Sequence, residues 1–128
     1  MVNQLRMWGP AAGWAAVLFL LSSWPNPTAP AWVAVNDKVV HLVLFGVLGC
    51  ALAAGRSWGR STVPHWVVIM VGVLYGAADE WYQSTVPNRT PSLADWYADV
   101  TGVLLGYLVI TFLVKRAGSM SGAVQRTD

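Results

Sequence analysis

The chain has 128 residues, of which 55% are hydrophobic and only 11% are charged. A typical soluble domain carries about 25% charged residues, so this composition favours a single membrane domain. The net charge of +2 is too small to predict nucleic-acid binding, and the single Cys50 excludes both an intrachain disulfide and a cysteine-rich metal site.

The first predicted transmembrane helix runs from about Trp8 to Trp24, a stretch without charged residues. A membrane helix needs about 20 mainly apolar residues. The same run also fits a signal peptide, because Arg6 precedes it and Ala29-Pro30-Ala31 forms a weak small-residue cleavage pattern. The tryptophans, including Trp14, favour a retained span, since their rings settle at membrane interfaces. We therefore expect a retained span and keep cleavage as the alternative.

The second predicted span runs from about Val39 to Gly55, and the third from about Pro64 to Asp79 or slightly beyond. Both are short, so they reach spanning length only if the polar residues at their ends belong to the helices. The prolines between residues 25 and 30 interrupt any helix before the second span. Asn36 or Asp37 is then expected to cap that span, because short polar side chains accept the free amides of a first turn.

The fourth predicted span runs from about Leu93 to Val114 and is ended by two basic residues. Ser92, followed three residues later by Asp95, predicts a capping box at its start. One narrow arc of this helix carries two carboxylates and two glycines, which predicts a buried face. These four residues are Asp95, Asp99, Gly102 and Gly106.

Lysine and arginine are unevenly distributed between the two predicted sides of the membrane. Six lie before span one, after span four or between spans two and three: Arg6, Arg56, Arg60, Lys115, Arg116 and Arg126. Only Lys38 and Arg89 lie on the opposite side. Because cytoplasmic loops carry the excess of positive charge, both termini are predicted to be cytoplasmic. The 25–36 and 84–92 connections are then outside.

Nine polar residues all fall at the predicted outer ends of the spans. They are Asp37, Lys38, His41, Asp79, Glu80, Gln83, Arg89, Asp95 and Asp99. Residues three, four or seven apart share a helix face, so these groups are expected to converge on one pocket just below the outer surface. Charged groups within a membrane are costly and tend to mark function.

Three interpretations of this pocket stay open. Carboxylates with His41 would ligate a divalent metal ion of unknown identity. Alternatively, His41, Glu80 and Asp99 would form a catalytic centre for acid–base chemistry on an envelope lipid or cell-wall precursor. Thirdly, Arg89 would bind a phosphate or carboxylate headgroup, supported by other polar groups. The predicted binding residues are Asp37, Lys38, Asp79, Gln83, Arg89 and Asp95.

Simple structural roles compete with these interpretations. Asp37 and Asp95 would serve only as helix caps. Lys38 would extend its side chain to the interface, and Glu80 would pair with Arg89 and fix the loop. Asp99 is harder to explain in this way, because it lies nearly two turns inside the predicted helix and needs a partner.

Taken in order, these segments resemble the VanZ-like family of small bacterial membrane proteins. The matching segments are Asp37-Lys38-Val39-Val40-His41, Asp79-Glu80-Trp81-Tyr82-Gln83, the stretch 87–95, and Asp99-Val100-Thr101-Gly102, with Ser22-Ser23 also similar. The resemblance implies a multi-spanning inner-membrane protein. The family takes its name from a member linked to low-level resistance to teicoplanin, and it frequently has asparagine where this chain carries Asp99.

The sequence therefore predicts an all-α, four-helix transmembrane bundle with both termini cytoplasmic. Residues 1–116 would form a VanZ-like membrane domain of the bacterial inner membrane, and 117–128 a flexible cytoplasmic tail. The predicted function is recognition, or modification, of a cell-envelope lipid or precursor headgroup. The expected partners are membrane lipids, such a precursor and a second copy of the chain, and no nucleic acid. The alternative is a non-catalytic scaffold or accessory subunit whose polar residues only lock helix ends.

Overall fold

The computed structural model describes residues 4–25 and 31–124, with side chains described over 4–25 and 36–119. Its four helices are α1 (Gln4–Ser22), α2 (Ala31–Trp58), α3 (His65–Gln83) and α4 (Leu93–Val124). These described ranges contain no strand, so the prediction of an all-α protein with four helices is confirmed. Three helices, α1, α2 and α4, are long and apolar enough to cross a membrane. The crossing by α3 and the orientation stay predictions.

α2 and α4 extend well beyond their predicted bounds, and α1 begins at Gln4, before its predicted start at Trp8. α2 begins at Ala31, so Asn36 and Asp37 lie inside it, and the prediction that either residue caps it is wrong. α4 continues well past its predicted end at Val114, so the segment 117–124 is helical. Residues 125–128 of the predicted tail lie outside the described residues. The division into a membrane domain and a flexible tail stays a prediction.

Consecutive helices run in opposite directions, which brings the end of α1, the first half of α2, the end of α3 and the start of α4 together. We call this the polar end of the bundle. The core between the helices is formed by Ala11, Leu18, Phe45, Leu48, Leu52, Ala53, Val68, Val103 and Tyr107. Large apolar side chains such as Leu20, Val43, Leu74 and Leu108 are exposed around the outside. Such an apolar exterior suits a lipid solvent.

Glycines determine how closely α2 and α4 approach, and these two helices make the most extensive contact in the bundle. A Cβ atom at Gly102 would overlap the carbonyl oxygen of Leu42, and one at Gly106 would overlap that of Gly46. Only a residue without a side chain permits such backbone contact. The predicted buried face of α4 is confirmed, because Asp95, Asp99, Gly102 and Gly106 are all buried.

Exposed tryptophans mark both ends of the bundle. Trp24 and Trp81 lie at the polar end, and Trp58 and Trp66 lie at the opposite end, as expected for two membrane interfaces. Trp14 was also predicted to be an interface anchor, and that prediction is wrong. Its Nε1 donates a hydrogen bond of 2.8 Å to a backbone carbonyl in the middle of α2. Trp14 therefore ties α1 to α2 inside the bundle.

We expect Gly106→Ala to destabilise the bundle by about 1–3 kcal/mol, because the added methyl group must push α4 away from Gly46. Thermal unfolding in detergent measures the effect. Gly118→Ala is the matched control, since a Cβ atom at Gly118 on the same helix would have no neighbour within 4 Å. Alanine at that position should leave the melting temperature unchanged or raise it slightly. Equal melting temperatures for the two variants would contradict the glycine contact.

Candidate functional site

Three helices each contribute one ionisable side chain to a buried group at the polar end. We call His41 of α2, Glu80 of α3 and Asp99 of α4 the acid–histidine cluster. Nδ1 of His41 lies 2.8 Å from Oδ1 of Asp99 and 4.0 Å from Oε1 of Glu80. The three side chains are 9%, 10% and 1% exposed, respectively. The structure thus brings together the three residues that the sequence nominated as a chemical centre.

Small and aromatic neighbours hold this cluster in place. A Cβ atom at Gly76, one turn before Glu80, would lie 3.2 Å from Cβ of Asp99. The glycine therefore lets α4 bring its carboxylate against α3. Phe45, one turn after His41, lies nearly parallel to the imidazole ring, with 6.4 Å between the ring centroids.

Two carboxylate oxygens of the cluster have no hydrogen-bond partner among the described residues. They are Oε1 of Glu80 and Oδ2 of Asp99, and both are buried. Nδ1 of His41 carries at most one proton, so its hydrogen bond with Asp99 leaves none for Glu80. A buried acceptor without a partner costs about 1–3 kcal/mol, and more if it is charged. The cluster therefore holds more acceptors than the donors of the described residues satisfy.

Glu80 also fixes the start of α4. Its Oε2 accepts a hydrogen bond of 2.9 Å from the backbone N–H of Ser92, while Oγ of Ser92 accepts one of 3.2 Å from the N–H of Ala94. The predicted capping box is therefore only half right. Ser92 caps α4 as expected, but the carboxylate on its amide belongs to Glu80 and not to Asp95. The alternative of a Glu80–Arg89 ion pair is also wrong, because Arg89 donates to backbone carbonyls instead.

An ion pair between Lys38 and Asp95 lies beside the cluster. Nζ of Lys38 is 2.9 Å from Oδ1 of Asp95, and the lysine side chain is 59% exposed. Asp37, one turn before His41, is half-buried. Ligand atoms of Asp37, His41 and Asp95 lie within 4.8 Å of one another. These residues join α2 to α4 at the rim of the site, and neither aspartate acts as the cap that the sequence predicted.

A second buried group joins α1 to α3. Oγ of Ser22 donates a hydrogen bond of 2.8 Å to Oδ2 of Asp79, and Nε2 of Gln83 donates one of 3.0 Å to the same oxygen. All three side chains are buried. Ser22 was not among the predicted site residues, and its only signal in the sequence was the Ser22-Ser23 pair near the end of the first predicted span.

A cavity of about 330 Å³, which we call the polar cavity, lies between α1, α2 and α3 at the polar end. Its polar lining consists of Ser22, Asp37, His41, Asp79, Gln83 and Arg89. Its apolar lining consists of Leu18, Leu21, Trp24, Val40, Leu44 and Phe45. Arg89 donates hydrogen bonds of 3.3 Å to the carbonyl oxygens of Leu21 and Trp24. The arginine therefore connects the α3–α4 link to the end of α1.

Another cavity, of about 520 Å³, lies on the other side of α3, and its lining includes Glu80, Ser92 and Trp96. The acid–histidine cluster separates the two cavities, since His41 lines one and Glu80 the other. Of the nine predicted polar residues, five line the polar cavity and Glu80 lines the second cavity. Lys38, Asp95 and Asp99 line neither.

Comparison with known proteins shows the family. The VanZ/LLP1 family model matches residues 6–114, which is most of the chain, so the chain belongs to the VanZ/LLP1 family and the predicted resemblance is confirmed. The chain is also similar to a protein of the fission yeast Schizosaccharomyces pombe described as uncharacterized protein C11E3.10, with 28% identity over 100 residues. The alignment covers 78% of this chain but 62% of that relative, so the chain spans about three fifths of the relative's length. No solved structure matches.

We expect the buried contact between His41 and Asp99 to stabilise the fold. A double-mutant cycle with His41→Ala and Asp99→Ala should give a coupling energy of about 1–3 kcal/mol, measured by unfolding in detergent. The comparison cycle uses Lys38→Ala and Asp95→Ala. Its coupling should be distinctly smaller, because the lysine is exposed to the surroundings. A coupling for the histidine pair no larger than that for the lysine pair would argue against the buried contact.

Proposed function

We propose that this VanZ/LLP1-family chain is a multi-pass membrane protein that binds the headgroup of a cell-envelope lipid, or of a lipid-linked precursor, in the polar cavity. The mixed lining of that cavity carries the proposal. Its polar side chains converge at one end of a bundle whose exterior is apolar. A lipid presents a polar group and an apolar chain together, so it matches both halves of the lining.

The position of Arg89 favours a ligand with an anionic headgroup. A guanidinium carries five N–H donors and binds phosphate through two parallel hydrogen bonds. Backbone carbonyls take one bond from Nε and one from a terminal nitrogen of Arg89, which leaves further donors for a ligand. Asp37 and His41 line the same cavity. These two groups suit the hydroxyl or amine groups that accompany the phosphate in many headgroups.

An apolar cavity of about 330 Å³ would accommodate an acyl or isoprenoid chain attached to the headgroup. It lies on the same interface of α1, α2 and α3 as the polar cavity, but nearer the opposite end. Its lining includes Ala11, Ala15, Leu48, Leu52, Val68 and Gly72. Tyr75, one turn before Asp79, also lines it and donates a hydrogen bond to the carbonyl oxygen of Ala15. A chain attached to a headgroup at Asp79 would extend past Tyr75 into this space.

We also propose that α3 crosses the inner membrane beside the other three helices, with the polar end outward. With 19 residues, α3 is about 28 Å long at 1.5 Å per residue, close to the hydrocarbon thickness of about 30 Å. Trp66 and Trp81 are exposed near its two ends, as interfacial anchors would be. The excess of lysine and arginine at the opposite end supports a cytoplasmic location for that end.

A non-catalytic membrane scaffold is the second candidate. It is favoured by the polar residues that already have partners in the bundle, namely the Lys38–Asp95 pair and the bonds of Ser22 and Gln83 to Asp79. Such contacts lock helix ends whether or not a ligand binds. The first proposal has two more specific forms, namely chemical modification of the bound lipid and a role in teicoplanin resistance. The role in resistance rests on the family resemblance alone.

The orientation is tested by labelling single cysteines in a Cys50→Ala background. Thr90→Cys, in the link between α3 and α4, should react with a membrane-impermeant maleimide on intact cells. Thr62→Cys, in the link between α2 and α3, should react only after permeabilisation. Labelling of both positions from the same side would show that α3 does not cross.

Lipid binding is tested by native mass spectrometry of the purified chain with phosphatidylglycerol or with undecaprenyl phosphate. Arg89→Ala should weaken binding of the preferred lipid about tenfold, the effect of losing a charge-assisted hydrogen bond. Arg116→Ala removes an exposed arginine at the opposite end of the bundle and should bind as the wild type does. The lipid that binds distinguishes a phospholipid from a precursor carrier. Equal binding by both variants would favour the scaffold.

A further inference from the structure

We propose that the acid–histidine cluster binds one divalent transition-metal cation, with Nδ1 of His41 and one oxygen each of Glu80 and Asp99 as its protein ligands. This site shares His41 with the lining of the polar cavity but does not include Arg89, and it does not depend on lipid binding. Three helices supply the three ligands, so the cation would join α2, α3 and α4 at one point.

The distances fit a shared ion. Two ligands that each lie about 2.1 Å from one cation are at most about 4.2 Å apart. Nδ1 of His41 meets that limit with both Oδ1 of Asp99, at 2.8 Å, and Oε1 of Glu80, at 4.0 Å. Ligand atoms of the three residues all lie within 4.8 Å of one another. A contraction of at most about 0.6 Å would therefore bring all three within the limit set by the metal–ligand bond length.

The unsatisfied oxygens are the independent observation that points to a ligand. Oε1 of Glu80 and Oδ2 of Asp99 are buried and have no hydrogen-bond partner among the described residues. The Glu80 and Asp99 side chains are at least nine-tenths buried, and Oε1 of Glu80 faces the imidazole. A divalent cation would supply the missing partner of Oε1 of Glu80 and balance the charges of the two carboxylates. The imidazole would then hold its proton on Nε2, because Nδ1 donates its lone pair to the metal.

The donor set selects the class of metal. One imidazole nitrogen with two carboxylate oxygens suits Zn²⁺ or Mn²⁺, whereas Mg²⁺ prefers a shell of oxygen alone. The neighbouring group of Asp37, His41 and Asp95 is a weaker site. Asp95 is already paired with Lys38, and Asp37 is only half-buried, so a cation at that position would have to displace the lysine.

The experiment measures metal uptake by the full chain, purified in detergent through a tag without histidine. After treatment with a chelator, the protein is equilibrated with Zn²⁺ or Mn²⁺ alone and dialysed, and the bound metal is counted by mass spectrometry. Co²⁺ absorption reports the ligand environment independently. We expect one ion per chain. No uptake by the wild type would overturn the proposal and leave a cluster whose carboxylates are satisfied by shared protons.

The chain's two histidines provide the matched control. His41→Ala should lose the ion, whereas His65→Ala should keep it, because His65 lies near the opposite end and bonds the Tyr107 hydroxyl. Glu80→Gln keeps an acceptor for the Ser92 amide, and Asp99→Asn keeps one for His41, so both variants should fold. Each variant nevertheless loses a carboxylate ligand, so its affinity for the metal should fall at least tenfold. Equal uptake by His41→Ala and His65→Ala would overturn the proposal.

Arg89→Ala separates the two proposals. It removes the proposed headgroup contact and leaves the three metal ligands in place, so it should take up metal as the wild type does. Loss of lipid binding with normal metal uptake in this variant supports both proposals. Normal lipid binding in the wild type without any metal uptake would overturn only the metal site.

Discussion

The backbone contact between α2 and α4 determines where the polar groups of this protein can lie. Gly102 and Gly106 pack directly against the backbone of α2, because any side chain at either position would overlap a carbonyl oxygen. One turn toward the polar end, the same approach places Asp99 against His41, and a further turn places Asp95 against Lys38. A wider separation of the two helices would break both pairs at once. The close packing of the two glycines therefore determines the positions of the charged residues.

Burying ionisable groups in an apolar bundle requires a partner for each of them, and the structure supplies most of these partners from neighbouring helices. Asp79 receives two hydrogen bonds, Asp95 pairs with a lysine, and one oxygen of Glu80 accepts a backbone amide. Only the acid–histidine cluster keeps buried oxygens without a donor among the described residues. This cluster, the one least satisfied among the described residues, also contains Asp99, which is fully buried.

The helical periodicity of the sequence correctly predicted the features that depend on a single helix. The shared face of Asp95, Asp99 and the two glycines, and the placement of polar residues at helix ends, follow from 3.6 residues per turn. The choice of partners did not follow, because it depends on which helices meet. The sequence around Glu80 does not indicate that its carboxylate accepts the amide of Ser92. Likewise, the sequence around Trp14 does not indicate that its indole bonds to α2 instead of lying at an interface. The start of α2 was also missed, since prolines show where a helix is interrupted but not how soon it resumes.

The two oxygens of Glu80 face different parts of the molecule, one toward His41 and the other on the backbone of Ser92. Any molecule or ion that shifts this carboxylate inside the bundle therefore also shifts Ser92, which caps α4 and ends the 84–92 connection. By reciprocity, a displacement of this connection would shift the Glu80 carboxylate inside the bundle. A single carboxylate thus couples the interior of the bundle to the 84–92 connection at its polar end.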